Sequence, residues 1–499
     1  MAVESPLHHA PPRRRTEPPS TFTLPGPRWA WLWALGIVGG VIAFYLHKGN
    51  VTDDSYAFLD WGRDLRHHYL PLLGGRAFQP LPIAAGAGLS LFGGSSPDIT
   101  MMFTLGTLVI MAAGAWRIME LLDIPQPAPL VAAFLAGFVM PSFYVADVAY
   151  NNGPYATLMI WALVLDMEKK YRGAWLLLMI DGLMRPEAWP FLCAYGVLTW
   201  WREGHTLDLR KLLRIAVLVA APIVAWLVME WIVAGKPLYS EESASGSAVS
   251  QTGTGTYAGI FDTIHLQLSW EIVFGAFVGA GSAFFFPRRN RVLLLVATTL
   301  LTLIGLLILA HSHFNVPGRD YSLLSPLMAL LAVVGFSIPA RLVRRHKQPF
   351  AAVFAVGALC LFPLVYFTVP HTMNRLGPTM KYVAFGRYIE QSFNHEIGSV
   401  AHDVDIKGAK WHSVAMVGAV DDSELAWVLG VPYTTVIDQI EGSRTHLIVE
   451  PTELTIRELD AHKLDNRTRE RIPAGWRLLL NGKHWQVYAP PEPLPIKLY

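Results

Sequence analysis

The sequence is poor in cysteine and in charge. Its two cysteines, Cys193 and Cys360, both fall in apolar stretches, which excludes a disulfide framework and the small secreted scaffolds that depend on one. No paired Cys-x-x-Cys is present to close a thiolate zinc site. A Gly-x-x-x-x-Gly-Lys-Ser/Thr phosphate loop is also missing, which removes ATP-driven transport by this chain alone; Gly253-Thr254-Gly255 lacks the strand-to-helix setting of a nucleotide fingerprint. Nor is there a basic, aromatic-interleaved surface of the kind that binds nucleic acid. Charged residues make up only 16% of the 499, against 53% hydrophobic, a balance foreign to soluble globules. What the chain has in abundance is long apolar runs, so the bilayer is its main solvent.

The first 27 residues are rich in proline and carry Arg13-Arg14-Arg15, the composition of a disordered basic tail kept in the cytoplasm. A span at 28–47 follows, and Leu46-His47-Lys48-Gly49-Asn50 offers no small-x-small cleavage site, so this segment is expected to remain as an anchor. Further spans are expected at 99–117, 129–147, 153–167, 172–184, 187–201, 212–235, 266–287, 291–311, 321–340 and 349–369, about eleven crossings in all. The two short ones around Arg185 read as a hairpin of half-depth helices.

With the N-terminus inside, the basic groups Lys169-Lys170-Tyr171-Arg172, 202–214, 288–291 and 341–347 all fall on the cytoplasmic side of a multi-pass plasma-membrane protein. That orientation requires residues 81–92 to lie in or against the outer leaflet without crossing. Three outward loops result, at 147–155, 240–257 and 311–321; the Gly/Ser/Thr-rich middle one reads as a mobile lid or linker.

From about 371 the composition becomes that of a water-soluble domain. Strand-like runs at 413–418, 434–438, 446–450, 476–480 and 485–488 are interspersed with helical stretches at 423–429 and 454–464. The expected fold class is therefore an α-helical polytopic membrane protein with a small C-terminal extracytoplasmic α/β domain. Its divisions are a tail (1–27), a transmembrane domain (28–370, with 48–98 as the first extracytoplasmic loop) and the appended domain (371–499).

The charges on the outward side are the candidates for chemistry. Asp53 and Asp54 follow the first span and precede an amphipathic run with Asp60, Arg63, Asp64 and Arg66. A carboxylate pair at a membrane interface is a candidate general base, or a clamp for a divalent cation such as Mg or Mn. Its plainer reading is an N-cap for the helix that follows. Asp147 ends a span beside Tyr150, Asn151 and Asn152, either as a second acidic group or as a wetted helix terminus.

Arg185 and Glu187 sit between two apolar segments, where burial demands that they pair or face a cavity; an ion pair bracing the hairpin competes with a direct role. Arg319 opens a span, with Tyr321 as interfacial anchor. Its guanidinium could hold a phosphate bidentately or merely snorkel. His311, His313 and His67-His68 are weak metal signals.

In order and spacing these residues resemble the GT-C superfamily of integral-membrane glycosyltransferases, in the branch of protein mannosyltransferases and aminoarabinose transferases. The resemblance lies in the first span followed by Asp53-Asp54, in Gln79-Pro80-Leu81-Pro82 leading to Phe92-Gly93, in Asp147, in Arg185-Pro186-Glu187 and in Arg319-x-Tyr321, and it covers roughly residues 28–340.

The resemblance implies transfer of a sugar from a polyprenyl-phosphate carrier to a cell-envelope glycan, lipid or protein on the extracytoplasmic face, with inversion. Asp53 or Asp54 would be the base, with preference for Asp53. Asp147 would be the second acidic position, and Arg319 with Tyr321 would serve the donor phosphate, supported by Arg63, Arg185 and Glu187. The chain departs from the mannosyltransferases in having Asp-Asp for Asp-Glu and in lacking their luminal repeat domain, and its twin aspartate also resembles that of cell-wall arabinofuranosyltransferases, which leaves a pentose donor open. A transporter or flippase for lipid-linked saccharides, and a non-catalytic envelope-assembly protein, are the competing readings.

Overall fold

A computed structural model of the chain describes residues 27–46, 51–68, 78–147, 149–204, 208–237, 257–311, 318–403, 414–416, 436–437, 447–451, 475–483 and 485–489. The basic tail, residues 240–256, His313 and the helical stretches expected at 423–429 and 454–464 lie outside them, as do the side chains of Asp53, Asp54 and Asp147. The first helices are α1 (Pro27–Leu46), α2 (Asp53–Arg66), α3 (Pro80–Leu89), α4 (Ser96–Leu121), α5 (Ala128–Phe138) and α6 (Met140–Asp147). Next come α7 (Asn152–Met167), α8 (Tyr171–Met184), α9 (Trp189–Arg202), α10 (Leu209–Ala234), α11 (Tyr257–Gln267) and α12 (Trp270–Gly281). The last are α13 (Arg289–His311), α14 (Leu324–Phe336), α15 (Ile338–Arg345) and α16 (Phe350–Asp403).

The chain is a multi-pass membrane protein. Among the described residues, five helical runs are long and apolar enough to cross a bilayer: Pro80–Leu121, Leu209–Val233, Arg289–His311, Arg319–Phe336 and Phe350–Gly377. These five overlap five of the roughly eleven expected crossings. The stretch expected as one span at 129–147 is instead two helices, parted at Val139, whose backbone is extended (ψ 142°) just ahead of Pro141. The helices α7, α8 and α9 have 16, 14 and 14 residues, roughly 21–24 Å against a hydrocarbon core of about 30 Å.

Residues 81–92, expected to lie in or against the outer leaflet without crossing, fall in α3 and the turn that follows it. α3 has ten residues, about 15 Å, and a 3₁₀ turn at Ser90–Ser95, where Gly93 takes φ 57°, ψ −134°, separates it from α4. α3 crosses α2 at two glycines: a Cβ on Gly62 would collide with the backbone of Gly86 and Ala87, and one on Gly86 with the Phe58 carbonyl. Tyr56, Leu59, Trp61, Phe78 and Ile83 are buried in this region. A similar close approach joins α12 and α14, where Gly279 meets the Leu331 carbonyl and Gly335 that of Gly275, the small-residue packing that lipid-embedded helices use.

The two ends of the bundle differ in chemistry. At the C-terminal ends of α4 and α7, Arg117 pairs with Glu120 and Glu168 at 2.8 Å each, and Lys170 with Glu168 at 2.6 Å. Nearby, Arg288 donates to the Leu121 carbonyl at 2.7 Å and Arg344 lies 3.3 Å from Asp123. Cations at helix C-termini satisfy carbonyls that have no partner within the helix. With Arg202 paired to Asp166 at the same end of α7, the four basic groups that orientation by charge puts on one side share one end of the bundle, about the length of α7 away from Asn151 and Asn152, roughly 24 Å.

The helix expected to end near 369 runs on to Asp403, so the change of composition at 371 falls inside α16. Each of the five expected strand runs overlaps a strand: β1 (Val414–Met416), β2 (Val436–Ile437), β3 (Leu447–Pro451), β4 (Arg477–Asn481) and β5 (Trp485–Ala489). They form one sheet in the order β2-β1-β3-β5-β4. β1 is parallel to β2 and β3, while β5 is antiparallel to β3 and β4. Trp485 and Val487 are buried, and the Glu396 carboxylate of α16 accepts from the Trp485 amide at 3.0 Å, tying sheet to helix.

Candidate functional site

Four segments far apart in sequence converge at the end of the bundle opposite the arginine clusters. They are the N-terminus of α2, the α6–α7 junction, the α8–α9 turn and the 3₁₀ turn Gly318–Ser322. The Ser55 hydroxyl donates to the Ala149 carbonyl at 2.7 Å, and the Thr104 hydroxyl to that of Ala146 at 3.0 Å. Phe44, Val51 and Tyr56 pack with Met101, Leu105, Ala146 and Ala149 beneath these bonds. The backbone of Asp53-Asp54 and that of Asp147 are thereby held in one corner.

α2 begins at Asp53. Thr52, in extended conformation, is its N-cap residue and makes no side-chain cap bond. Both aspartates therefore stand in the first turn, past the cap, where the aligned peptide dipoles favour negative charge.

Arg185 is the hub of the polar network. Pro186 disfavours helical geometry in the residue before it, and Arg185 is extended (φ −148°, ψ 135°), ending α8. Its Nε and Nη2 donate to the Glu187 carboxylate at 3.2 and 2.9 Å, Nη2 also to Asp320 at 3.3 Å, and Nη1 to Asn151 Oδ1 at 3.3 Å. The Tyr155 ring lies 5.9 Å from the guanidinium carbon. Burial disfavours the cation, but Glu187 and Asp320 outweigh it and raise the Arg185 pKa above its ordinary value.

Asparagines link this hub to the other segments. Asn152 donates its side-chain amide to the Arg319 carbonyl at 3.1 Å and to Asp320 at 3.4 Å, and its own carbonyl accepts from Ser322 at 3.4 Å. Asn151 donates to the Gln79 side chain, which precedes α3. The Arg319 guanidinium lies 4.8 Å from the centre of the Tyr150 ring, a cation–π arrangement, and Tyr150 meets Tyr144 edge-on.

Of the residues singled out in the sequence, the structure places Arg185, Glu187 and Arg319 in one network, with the backbones of Asp53, Asp54 and Asp147 at one corner of the same end. Tyr321 is only 1% exposed, and its hydroxyl donates to the Ile260 carbonyl at 3.5 Å, so it fastens the turn to α11. Arg63 pairs within α2, with Asp60 at 2.8 Å and Asp64 at 3.7 Å. His311 is engaged by the Tyr257 hydroxyl at 2.6 Å and His67 by Arg66 at 3.2 Å. Among the described residues no group of three or more His, Cys, Asp or Glu could hold a metal ion.

Sequence reasoning missed Asp320, Asn151, Asn152 and Gln79 as network members, and Asp181 altogether. Asp181, one turn before Arg185 in α8, is fully buried, and neither carboxylate oxygen has a hydrogen-bond partner among the described residues. A lone aspartate in Leu176-Leu177-Leu178-Met179-Ile180-Asp181 was the available signal, because an ionisable group in an apolar segment defaults to function.

No family model and no curated protein matches the chain. Solved structures do. ArnT from Cupriavidus metallidurans bound to undecaprenyl phosphate aligns with a TM-score of 0.53 at 13% identity, over 93% of this chain and 98% of that one. Its apo form gives 0.50 at 12% identity, over the same shares. The Archaeoglobus fulgidus oligosaccharyltransferase tethered to an acceptor peptide containing the NVT sequon gives 0.52 at 11% identity, over 87% of this chain and 70% of that one. What is shared at these identities is the fold.

Proposed function

Because the chain has the GT-C glycosyltransferase fold, we propose that it is a membrane glycosyltransferase. It moves a hexosyl or pentosyl group from a polyprenyl-phosphate carrier to a cell-envelope acceptor on the extracytoplasmic face. The observation that carries this reading is the convergence of the Asp53-Asp54 turn, the end of α6 at Asp147, and the Arg185–Asp320–Asn152–Arg319 network at one end of an apolar bundle. The opposite end collects the lysines and arginines expected to face the cytoplasm, which supports an extracytoplasmic site. The sheet appended to α16 then belongs to an extracytoplasmic domain.

In this mechanism Asp53 takes the proton of the acceptor hydroxyl while its oxygen attacks the anomeric carbon. The bond from that carbon to the phosphate oxygen breaks, and its electron pair leaves on the phosphate. Attack from the face opposite the leaving group inverts the centre. Arg319 offsets the charge developing on the phosphate, with Tyr321 fastening the turn that carries it. Arg185 and Glu187 hold that turn through Asp320. Asp147 supplies a second carboxylate, and Asp54 supports Asp53 or holds a divalent cation.

The test is transfer by purified protein supplied with polyprenyl-phosphate sugar. The Asp53→Asn and Asp54→Asn variants are assayed separately, with and without a chelator followed by added Mg or Mn. Transfer that falls by about a hundredfold or more in one variant identifies the base; unchanged transfer in both removes the assignment. Absence of transfer by the unaltered protein, with movement of lipid-linked saccharide across vesicles, would establish a flippase instead.

A further inference from the structure

A groove of about 640 Å³ lies between α8 and α10, lined by Arg172, Trp175, Leu176 and Met179 from the first helix and Arg214 and Leu218 from the second. On α8 these residues stand at i, i+3, i+4 and i+7, and on α10 at i and i+4, so each set occupies one helix face. Both helices start from the basic end of the bundle, with Arg172 in the first turn of α8 and Arg214 in the second turn of α10. The groove is therefore cationic at one end and apolar beyond it, over a depth of about 10 Å.

That gradient matches an amphiphile aligned with the bilayer. A soluble polar ligand would need polar groups along its length, and the lining beyond the arginines offers only Trp175, Leu176, Met179 and Leu218. Arg172 is exposed and has no carboxylate partner among the described residues. Arg214 has only a loose one, Glu203 at 3.9 Å. Two guanidiniums at one mouth suit a phosphate, which each can grip bidentately, and basic pockets between transmembrane helices are known headgroup sites.

We propose that this groove binds an anionic glycerophospholipid. Its phosphate sits between Arg172 and Arg214, and one acyl chain follows Trp175, Leu176, Met179 and Leu218. A zwitterionic lipid brings its own cation to the arginines, whereas an anionic one completes their charge. The site is separate from the polar network and stands whether or not the chain transfers sugar.

Native mass spectrometry of the full chain in detergent tests it, with phosphatidylglycerol, phosphatidylcholine and undecaprenyl phosphate as probes. A basic residue at an anionic headgroup is worth about fivefold in binding, so phosphatidylglycerol should be retained at least about tenfold over phosphatidylcholine. Arg172→Gln with Arg214→Gln should abolish that preference, and Arg172→Lys with Arg214→Lys, which keeps the charge, should preserve most of it. Equal retention of the two phospholipids, an unchanged preference in the Gln variant, loss of preference in the Lys variant, or stronger retention of undecaprenyl phosphate than phosphatidylglycerol would each overturn the proposal.

Discussion

Replacing Arg185 by glutamine should loosen the whole outward end of the bundle. Arg185 and Asp320 are 11% and 16% exposed, and Glu187 is 34% exposed. Removing the guanidinium leaves two carboxylates near each other without their shared cation. Breaking a buried pair costs about 3–5 kcal/mol, and the partial exposure of Glu187 argues for the lower end, about 3 kcal/mol. At about 2 °C per kcal/mol for a large chain, the thermal midpoint should fall by about 6 °C.

Arg185→Lys keeps the charge but loses the planar fork that reaches Glu187, Asp320 and Asn151 together, so it should recover only part of the loss. Arg210→Gln, an exposed change, should stay within about 0.5 kcal/mol. The assay is tryptophan fluorescence melting in one detergent at one scan rate, because unfolding of such chains is commonly irreversible. Combining Arg185→Gln with Asp320→Asn should cost less than the sum of the two, by about 1–3 kcal/mol. An Arg185→Gln midpoint equal to that of Arg210→Gln, or strict additivity with Asp320→Asn, would refute the hub.

Other consequences follow from packing and charge. Gly62→Ala forces a methyl group into the backbone of α3 and should destabilise the α2–α3 crossing by about 1–3 kcal/mol, whereas Gly88→Ala in the same helix pair meets nothing within 4 Å; melting the two side by side distinguishes close packing from a general intolerance of alanine. Burial pushes the Glu168 carboxyl up, but hydrogen bonds from Lys170 and Arg117 outweigh it and hold the pKa below the ordinary range. The stability this contributes is fully present above the unfolded value of about 4.3 and is lost as pH falls through the depressed folded value. Glu168→Gln should flatten the pH dependence of the melting midpoint in that acid window, and an unchanged slope would show that the pair contributes nothing.

The periodic and compositional features were the legible ones. Five strand runs were found because alternation and β-branched residues mark them locally, and the basic groups because charge bias is a one-dimensional signal. Crossing number was harder to read. Hydropathy alone cannot see that Val139 turns extended ahead of Pro141 or that Gly93 breaks the run from α3 to α4, since both depend on backbone geometry. The end of α16 was missed for a related reason: composition turns polar at 371, but a helix that leaves an apolar environment need not stop there.

The site shows the same division between local and long-range information. Arg185 and Glu187 are two residues apart and announced their pairing. Asp320 is 135 residues away from Arg185, and nothing local in the sequence marks it as Arg185's partner. The fold instead gives it to Arg185, through a turn pinned by Asn152. The Asp53-Asp54 pair is sharpened in another way. With Thr52 in the cap position and α2 starting at Asp53, the N-cap reading passes to Thr52, and both aspartates fall in the first turn, where the peptide dipoles favour their charge. Ser55, fastened to Ala149 across 94 residues of sequence, puts the pair's backbone in the same corner as that of Asp147. Collecting acidic positions from separate segments at the end of an apolar bundle has an electrostatic cost, which the first turn of α2 partly offsets through its peptide dipoles.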